Sequence, residues 1–462
     1  MAKTPPVNKN DVVELEVADL ALGGLGVANM GGYVIFVENA LPGDRVKARI
    51  TRRQANHSQA SIVEIMRPAP ERTSAPCILH DTCGGCVWQT LPYEQQLVYK
   101  QRHVAEALKH IGGQEALPIQ PILPSPKMYH YRNKMEFSFG KTTEGAILGF
   151  HYPGWFDRIF EVNSCLIQPE IFDDVLAVTQ RWARQSGIPP YDPRSHEGIL
   201  RSLILRRSEA NGQWLACLLT KSMNVDGHLE ELASALDQAA DGFAGLLWAF
   251  NDGLADVARM DAQGGVVGDP IVEEHLEEFR FRVSPFSFFQ TNTLGAELLY
   301  RQIRDFVGLT GNETLLDAYC GTGSIGIFCS RGAKRIYGVE IVRDAVWDAR
   351  ANAVMNDVKN CTFIAAPMSQ GLNLVRDAGG RHFDRIIIDP PRGGMDKKSL
   401  KHLLECRAPV FVYVSCNPAT LSRDVISITE AGYRIANVQP VDLFPHTHHI
   451  ETVIRFERAS IH

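Results

Sequence analysis

No stretch of this chain approaches the ~20 consecutive apolar residues needed to cross a bilayer. Its first residues also lack the apolar core of a secretion signal. The expectation is a cytoplasmic protein with no membrane partner. An excess of basic charge is missing too: 47 Lys and Arg face 53 Asp and Glu, a net charge of −6. That excludes a surface that is basic all over and leaves local basic faces as the electrostatic route to nucleic acid. The 10 cysteines are not expected to form disulfides in a reducing compartment. They follow neither the CxxxCxxC spacing of radical enzymes nor the two CxxC pairs of ordinary structural zinc sites.

What is present centres on the turn Asp317-Ala318-Tyr319-Cys320-Gly321-Thr322-Gly323-Ser324. An apolar run precedes it and Ile325–Phe328 follows. A strand, a glycine turn and a helix start are expected, which together aim backbone N–H groups at a ligand. Glu340 ends the next apolar run, roughly 20 residues on, where an acid usually binds ribose hydroxyls. The turn has no Lys for a triphosphate. One ribose-binding acid without a phosphate device points to S-adenosylmethionine rather than NAD or ATP.

At 462 residues the chain has room for roughly three domains of ~150 residues. Residues 1–10 read as a disordered lead. Short strands at Val12–Val17, Tyr33–Val37, Arg45–Thr51 and Ser61–Met66, separated by glycine turns, suggest a small β-barrel of the oligonucleotide-binding type. Arg45, Lys47, Arg49, Arg52 and Arg53 make either a phosphate-facing surface or a solvated edge strand. Cys77, Cys83 and Cys86 on one loop, with the distant Cys165, form a plausible four-thiolate site for zinc or an iron–sulfur cluster. The 3+1 arrangement leans toward [4Fe–4S]. A helix is expected over residues 94–111. Between 129 and 220 strands return, and Tyr131, Arg132, Asn133 and Lys134, with Arg201, Arg206 and Arg207, give a basic and aromatic mixture that can track single-stranded RNA. From Phe279 onward strands alternate with helices, the pattern of a doubly wound α/β sheet.

The reactive groups fall at expected strand ends. Asp389-Pro390-Pro391-Arg392 ends one strand, with Arg392 where amino-methyltransferases carry an aromatic residue. Cys416, in Ser415-Cys416-Asn417-Pro418, ends the next and offers a thiol nucleophile. Glu451 stands just before the last strand. His446, His448 and His449 read as loop residues rather than a metal site. Nucleophile, cofactor turn and carboxylate suit methylation of pyrimidine carbon 5, with Cys416 adding to carbon 6 and Glu451 removing the carbon-5 proton. The base must leave its stack, and Phe288 could support it by stacking. An RNA cytosine-5-methyltransferase would place its thiol in a Pro-Cys or Thr-Cys context. A non-catalytic RNA-binding protein would have no need of Cys416.

These motifs resemble the RNA uracil-5-methyltransferases, specifically the iron–sulfur branch that modifies 23S ribosomal RNA, over nearly the whole chain. The resemblance implies a class I methyltransferase domain of Rossmann-like α/β fold over 279–462 and a TRAM-like barrel over 1–68. It implies a central β-rich iron–sulfur and RNA-binding domain over 69–278, whose helix 94–111 packs on the catalytic domain. Cys77, Cys83, Cys86 and Cys165 match the branch's cluster ligands. Phe288-Phe289-Gln290-Thr291-Asn292 matches its FFQ-x-N motif, with Gln290 on S-adenosylmethionine. Tyr319, Ser324, Glu340 and Asp389 match further cofactor contacts, Ser324 standing where relatives often carry Asn or Thr. Cys416 and Glu451 match nucleophile and base. The implied partner is 23S rRNA, through a single-stranded or loop uridine flipped into the site, with Phe288, Arg132 and Lys134 as candidate RNA contacts. A monomer is expected.

Overall fold

Strict alternation of apolar and polar residues builds the first element group. The computed structural model describes residues 5–255 and 257–459. In it, β1 (Val12–Leu20), β2 (Gly26–Met30), β3 (Tyr33–Glu38), β4 (Arg45–Arg53) and β5 (His57–Arg67) close into a barrel of order β1-β2-β3-β5-β4. Every second residue points inward, so Leu15, Val17, Ile35, Val37, Val46 and Ile50 share one buried cluster. Two expectations change. Val7 belongs to that cluster at 1% exposure, so the lead is ordered from at least that point; residues 1–4 lie outside the described residues. And β4 is not an edge strand, because it pairs with both β1 and β5. Arg45 and Lys47 on it face Glu14 and Glu64 at 3.1 and 3.0 Å, which neutralises part of the basic cluster.

The chain separates into two compact units. The first comprises Met1–Pro124, Cys416–Ile426 and Gln439–Thr452. Besides the barrel it holds a single turn, α1 (His80–Cys83), and the long helix α2 (Tyr93–His110). The second comprises Ser125–Ser415, Ser427–Val438 and Val453–His462. In it, β6 (Lys134–Thr142), β7 (Gly145–His151), β8 (Ile159–Glu161), β9 (Leu200–Arg207), β10 (Trp214–Thr220), β11 (Phe243–Phe250) and β12 (Ala262–Gly268) form a seven-stranded sheet. Its order is β12-β11-β10-β9-β6-β7-β8. Helices α3 (Ile171–Ser186) and α4 (His228–Ala239) pack on it. The apolar run of β10 is buried from end to end, and β9 is buried up to Arg206 although it carries arginines and a serine.

A ribbon of β13 (Val272–Leu276) and β14 (Phe279–Val283) leads into α5 (Thr293–Val307). Then follow β15 (Thr314–Ala318), α6 (Ser324–Phe328), β16 (Arg335–Glu340), α7 (Arg343–Met355), β17 (Cys361–Ala365) and α8 (Met368–Asp377). The chain continues through β18 (Arg385–Ile388), α9 (Lys397–Glu405), β19 (Val410–Ser415), α10 (Pro418–Glu430), β20 (Tyr433–Val441) and β21 (Glu451–Arg458). The sheet order is β17-β16-β15-β18-β19-β21-β20, with β15 parallel to both β16 and β18. Strand order therefore reverses between β15 and β18. Ligands of such sheets lie beyond the strand C-termini at this switch point, where the Tyr319–Ser324 turn and Asp389 leave the sheet.

Candidate functional site

The glycine turn is shaped by crowding beneath it. Gly323 has φ +77°, and a Cβ there would stand 2.8 Å from Phe363 and 2.9 Å from the Ala349 Cβ. Tyr319, at φ 65°, donates its amide to the Val339 carbonyl at 2.9 Å, tying the turn to β16. Glu340 then caps the turn from below. Its Oε2 accepts from the Gly321 amide at 3.2 Å, and its Oε1 accepts from the Ile341 and Val342 amides at 2.7 and 2.9 Å. The carboxylate is thus oriented before any ligand arrives. Ser324 opens α6 and shares a 2.8 Å hydrogen bond with the Tyr300 hydroxyl. Gly321, Gly323 and Gly326 stand at the spacing also used by dinucleotide-binding turns, so discrimination falls to charge.

The groups that decide it are acids crowded by protein. Asp317, wholly buried, is pushed up to about 8 by burial, with the charges of Asp389 and Glu340 adding to it and the Gly326 amide opposing. Asp389, just past β18, keeps part of its surface open but is crowded by protein atoms, and that burial pushes it up to about 7. Acids around a glycine turn suit a hydroxylated, positively charged ligand and oppose a polyphosphate. The residues present therefore fit a sulfonium nucleoside.

The Phe288–Asn292 segment is bound to this turn. The Phe288 ring is 64% exposed, and its Cδ1 lies 4.0 Å from where a Gly321 Cβ would be. Thr322 Oγ1 donates to the Phe288 carbonyl at 3.1 Å. Asn133 donates to the Gln290 carbonyl and to Thr293 Oγ1, both at 2.9 Å. Asn292 is the N-cap of α5, accepting from the Gly295 amide at 3.0 Å. Thus the motif's asparagine holds a helix end, a role that Asn followed by a helical run could have signalled.

The basic residues divide. Arg201 and Arg206, expected to face RNA, are buried at 3% and 2% exposure. Arg201 donates to the Asn251, Gly253 and Ala255 carbonyls, and Arg206 to those of Pro285 and Ser287. Both tie loops to the sheet, because a buried guanidinium must spend its donors on nearby carbonyls. Arg132 and Lys134 remain half-buried, and Arg132 Nε donates to the Lys134 carbonyl at 3.0 Å. Burial first, then the Arg206 and Arg132 charges, bring Lys134 down to about 8.

Cys416 and Glu451 belong to the first unit. Cys416 is a half-buried thiol, in no disulfide, between β19 and α10. Asn417 Oδ1 accepts from the Ala419 amide at 3.0 Å, and Pro418 occupies the first helical position, a sequence that sets the helix start. Glu451, at 6% exposure, begins β21. The loop before it is clamped to α2 in a way the sequence did not disclose. Lys100 Nζ meets Asp442 Oδ1 at 2.6 Å, both side chains at 0% exposure, and also donates to the Phe444 carbonyl at 3.0 Å. Burial pulls the Lys100 ammonium below its ordinary range while Asp442 opposes it. Tyr93 adds a 2.9 Å bond to Asp442 Oδ2. Gln96 accepts from the His446 amide at 2.8 Å and lies 3.2 Å from its Nδ1.

The cysteine loop is a separate feature. Cys77, Cys83, Cys86 and Cys165 are all half-buried and in no disulfide. Burial raises the Cys83 thiol, and the neighbouring Cys77 adds to that rise. Among the described residues, no three His, Cys, Asp or Glu side chains gather as a metal site, and Cys165 lies in the other unit. Thiol side chains of this kind suit soft metal chemistry.

Comparison with known proteins completes the picture. The tRNA (Uracil-5-)-methyltransferase family model matches residues 254–459, and the TRAM domain model matches residues 6–63. An uncharacterized RNA methyltransferase of Clostridium tetani is 37% identical over 98% of this chain and 99% of its own. One from Chlorobaculum tepidum is 37% identical over 98% of this chain and 97% of its own. The crystal structure of Pyrococcus abyssi tRNA (uracil-54, C5)-methyltransferase with S-adenosyl-L-homocysteine superposes with a TM-score of 0.76 at 26% identity. It covers 96% of this chain and all of that one. The chain belongs to the S-adenosylmethionine-dependent RNA uracil-5-methyltransferase family and carries a TRAM domain at its N-terminal end.

Proposed function

We propose that this protein methylates carbon 5 of a uridine in 23S ribosomal RNA, giving 5-methyluridine. The observation that supports the reaction is the presence, in one compact unit, of a thiol at a helix start and a carboxyl on a buried strand end. The start of α10 favours negative charge on the Cys416 sulfur. That thiolate adds to carbon 6 of the uracil ring, and the displaced π electrons make carbon 5 nucleophilic. S-adenosylmethionine, held by Gln290, Tyr319, Ser324, Glu340 and Asp389, supplies the methyl group on a positively charged sulfur. Glu451 then takes the carbon-5 proton. The electrons of that C–H bond re-form the C5–C6 double bond and expel the Cys416 sulfur. Phe288 stacks on the flipped base, while Arg132 and Lys134 face its phosphates.

Cys77, Cys83, Cys86 and Cys165 would hold a [4Fe–4S] cluster that organises the RNA-binding surface and takes no part in the chemistry. The ribosomal substrate rests on resemblance to the branch that combines barrel and cluster cysteines. A second reading, a tRNA substrate, is favoured by the Pyrococcus abyssi tRNA enzyme, which covers 96% of this chain. The deciding experiment is incubation with S-adenosylmethionine and 5-fluorouridine-substituted 23S rRNA or tRNA. A denaturation-resistant adduct with 23S rRNA, absent in Cys416→Ala, is expected. An adduct with tRNA alone would establish the second reading, and no adduct with either would sink the mechanism.

A further inference from the structure

The β7–β8 hairpin ends in Tyr152-Pro153-Gly154-Trp155-Phe156-Asp157-Arg158. It presents three large aromatic side chains to solvent: Tyr152 at 40%, Trp155 at 44% and Phe156 at 64% exposure. The loop is internally bonded, with the Tyr152 amide on the Arg158 carbonyl at 2.9 Å and the Trp155 amide on the Tyr152 carbonyl at 3.0 Å. The rings are therefore held outward by a folded backbone. The Arg158 guanidinium lies 3.8 Å above the centroid of the Trp155 ring, and that of Arg194 lies 5.9 Å from the Phe156 centroid. The loop's one acid, Asp157, is paired with Arg194, and its side chain is 9% exposed against 60% for the arginine. What faces solvent is aromatic and cationic, with the negative charge turned inward. β8, at three residues the edge of the central sheet, leaves the tip without a covering strand.

Exposed aromatics normally find apolar partners, yet flanking guanidiniums are costly to bury in an apolar interface. Unpaired nucleic acid meets both demands, because its bases stack on rings while its phosphates pair with guanidiniums. Arg158 covers one face of the Trp155 indole, which leaves the opposite face for a base. We propose that the Tyr152–Arg158 tip is a stacking platform for unpaired nucleotides of the RNA substrate. This rests on the chain acting on RNA and adds a contact outside the reacting site.

The test uses full-length Trp155→Ala/Phe156→Ala and the conservative Trp155→Phe/Phe156→Tyr, with protein-free 23S rRNA as the probe. RNA KM and RNA Kd should rise roughly ten- to hundredfold in the alanine variant, with kcat within about twofold and S-adenosylmethionine affinity unchanged. The conservative variant should recover most of the loss, which a folding defect would not permit. Arg158→Gln should also weaken binding and flatten its salt dependence. An alanine variant with wild-type RNA KM and Kd overturns the proposal and leaves the tip to a protein or membrane partner. If wild-type protein forms no 5-methyluridine, the methylation reading fails, while the binding measurement still judges the platform.

Discussion

Asp389 and Asp317 show how burial gives single residues a pH dependence. A folded carboxyl raised from 3.8 to about 8, as at Asp317, keeps its proton where the unfolded chain has lost it. Stability therefore falls as pH rises from about 4 to about 8. Asp317→Asn is expected to melt higher than wild type at pH 8 and together with it near pH 4, by calorimetry. Asp389, raised to about 7, should attract the sulfonium once ionised. S-adenosylmethionine affinity should then rise roughly three- to tenfold between about pH 6 and 8. That of S-adenosylhomocysteine, which lacks the positive charge, should change little. Asp389→Asn should flatten the first profile in titration calorimetry. These acids were legible as strand-end residues, because strand ends follow from apolar runs. Their raised pKa values were not, since burial depends on which other elements cover the site.

Among the elements, α2 and the loop before β21 depend on each other. Breaking a buried ion pair by removing one partner costs about 3–5 kcal/mol, so Lys100→Met should lower denaturant stability by that order. If the Lys100–Asp442 pair positions Glu451, the same variant should slow release of methylated RNA. It would then accumulate a Cys416–RNA adduct that carries labelled methyl, as Glu451→Gln should. A gel of denatured reactions with labelled S-adenosylmethionine checks this, and a stability loss without adduct would limit the pair to folding. Asn292 makes a simpler case: losing an N-cap costs about 1–2 kcal/mol, so Asn292→Ala should lower denaturant stability by that order. The strands of the C-terminal sheet were readable because parallel strands buried on both faces are near-continuous apolar runs. β2 was not, since Gly26-Val27-Ala28-Asn29-Met30 is short and weakly patterned. Arg201 and Arg206 misled for a related reason: a basic residue on a strand looks alike whether its face meets solvent or a loop's carbonyls.

On the scale of the whole molecule, the proposed iron–sulfur site is the feature most dependent on long-range assembly. Protein purified without oxygen is expected to be brown and to contain about four irons per chain. Colourless protein holding one zinc would replace the cluster with a structural metal. The compact units also cut across chain order, since Cys416–Ile426 and Gln439–Thr452 group with Met1–Pro124. By itself the sequence determined the α/β alternation, the barrel pattern, the glycine turn and the thiol and carboxyl at their strand ends, because each follows from local periodicity and residue chemistry. Only the tertiary structure decided which arginines are structural, that Lys100 holds the loop before Glu451, and how far Asp317 and Asp389 are raised. Those outcomes depend on which distant segments exclude water from a side chain, and no local pattern records that.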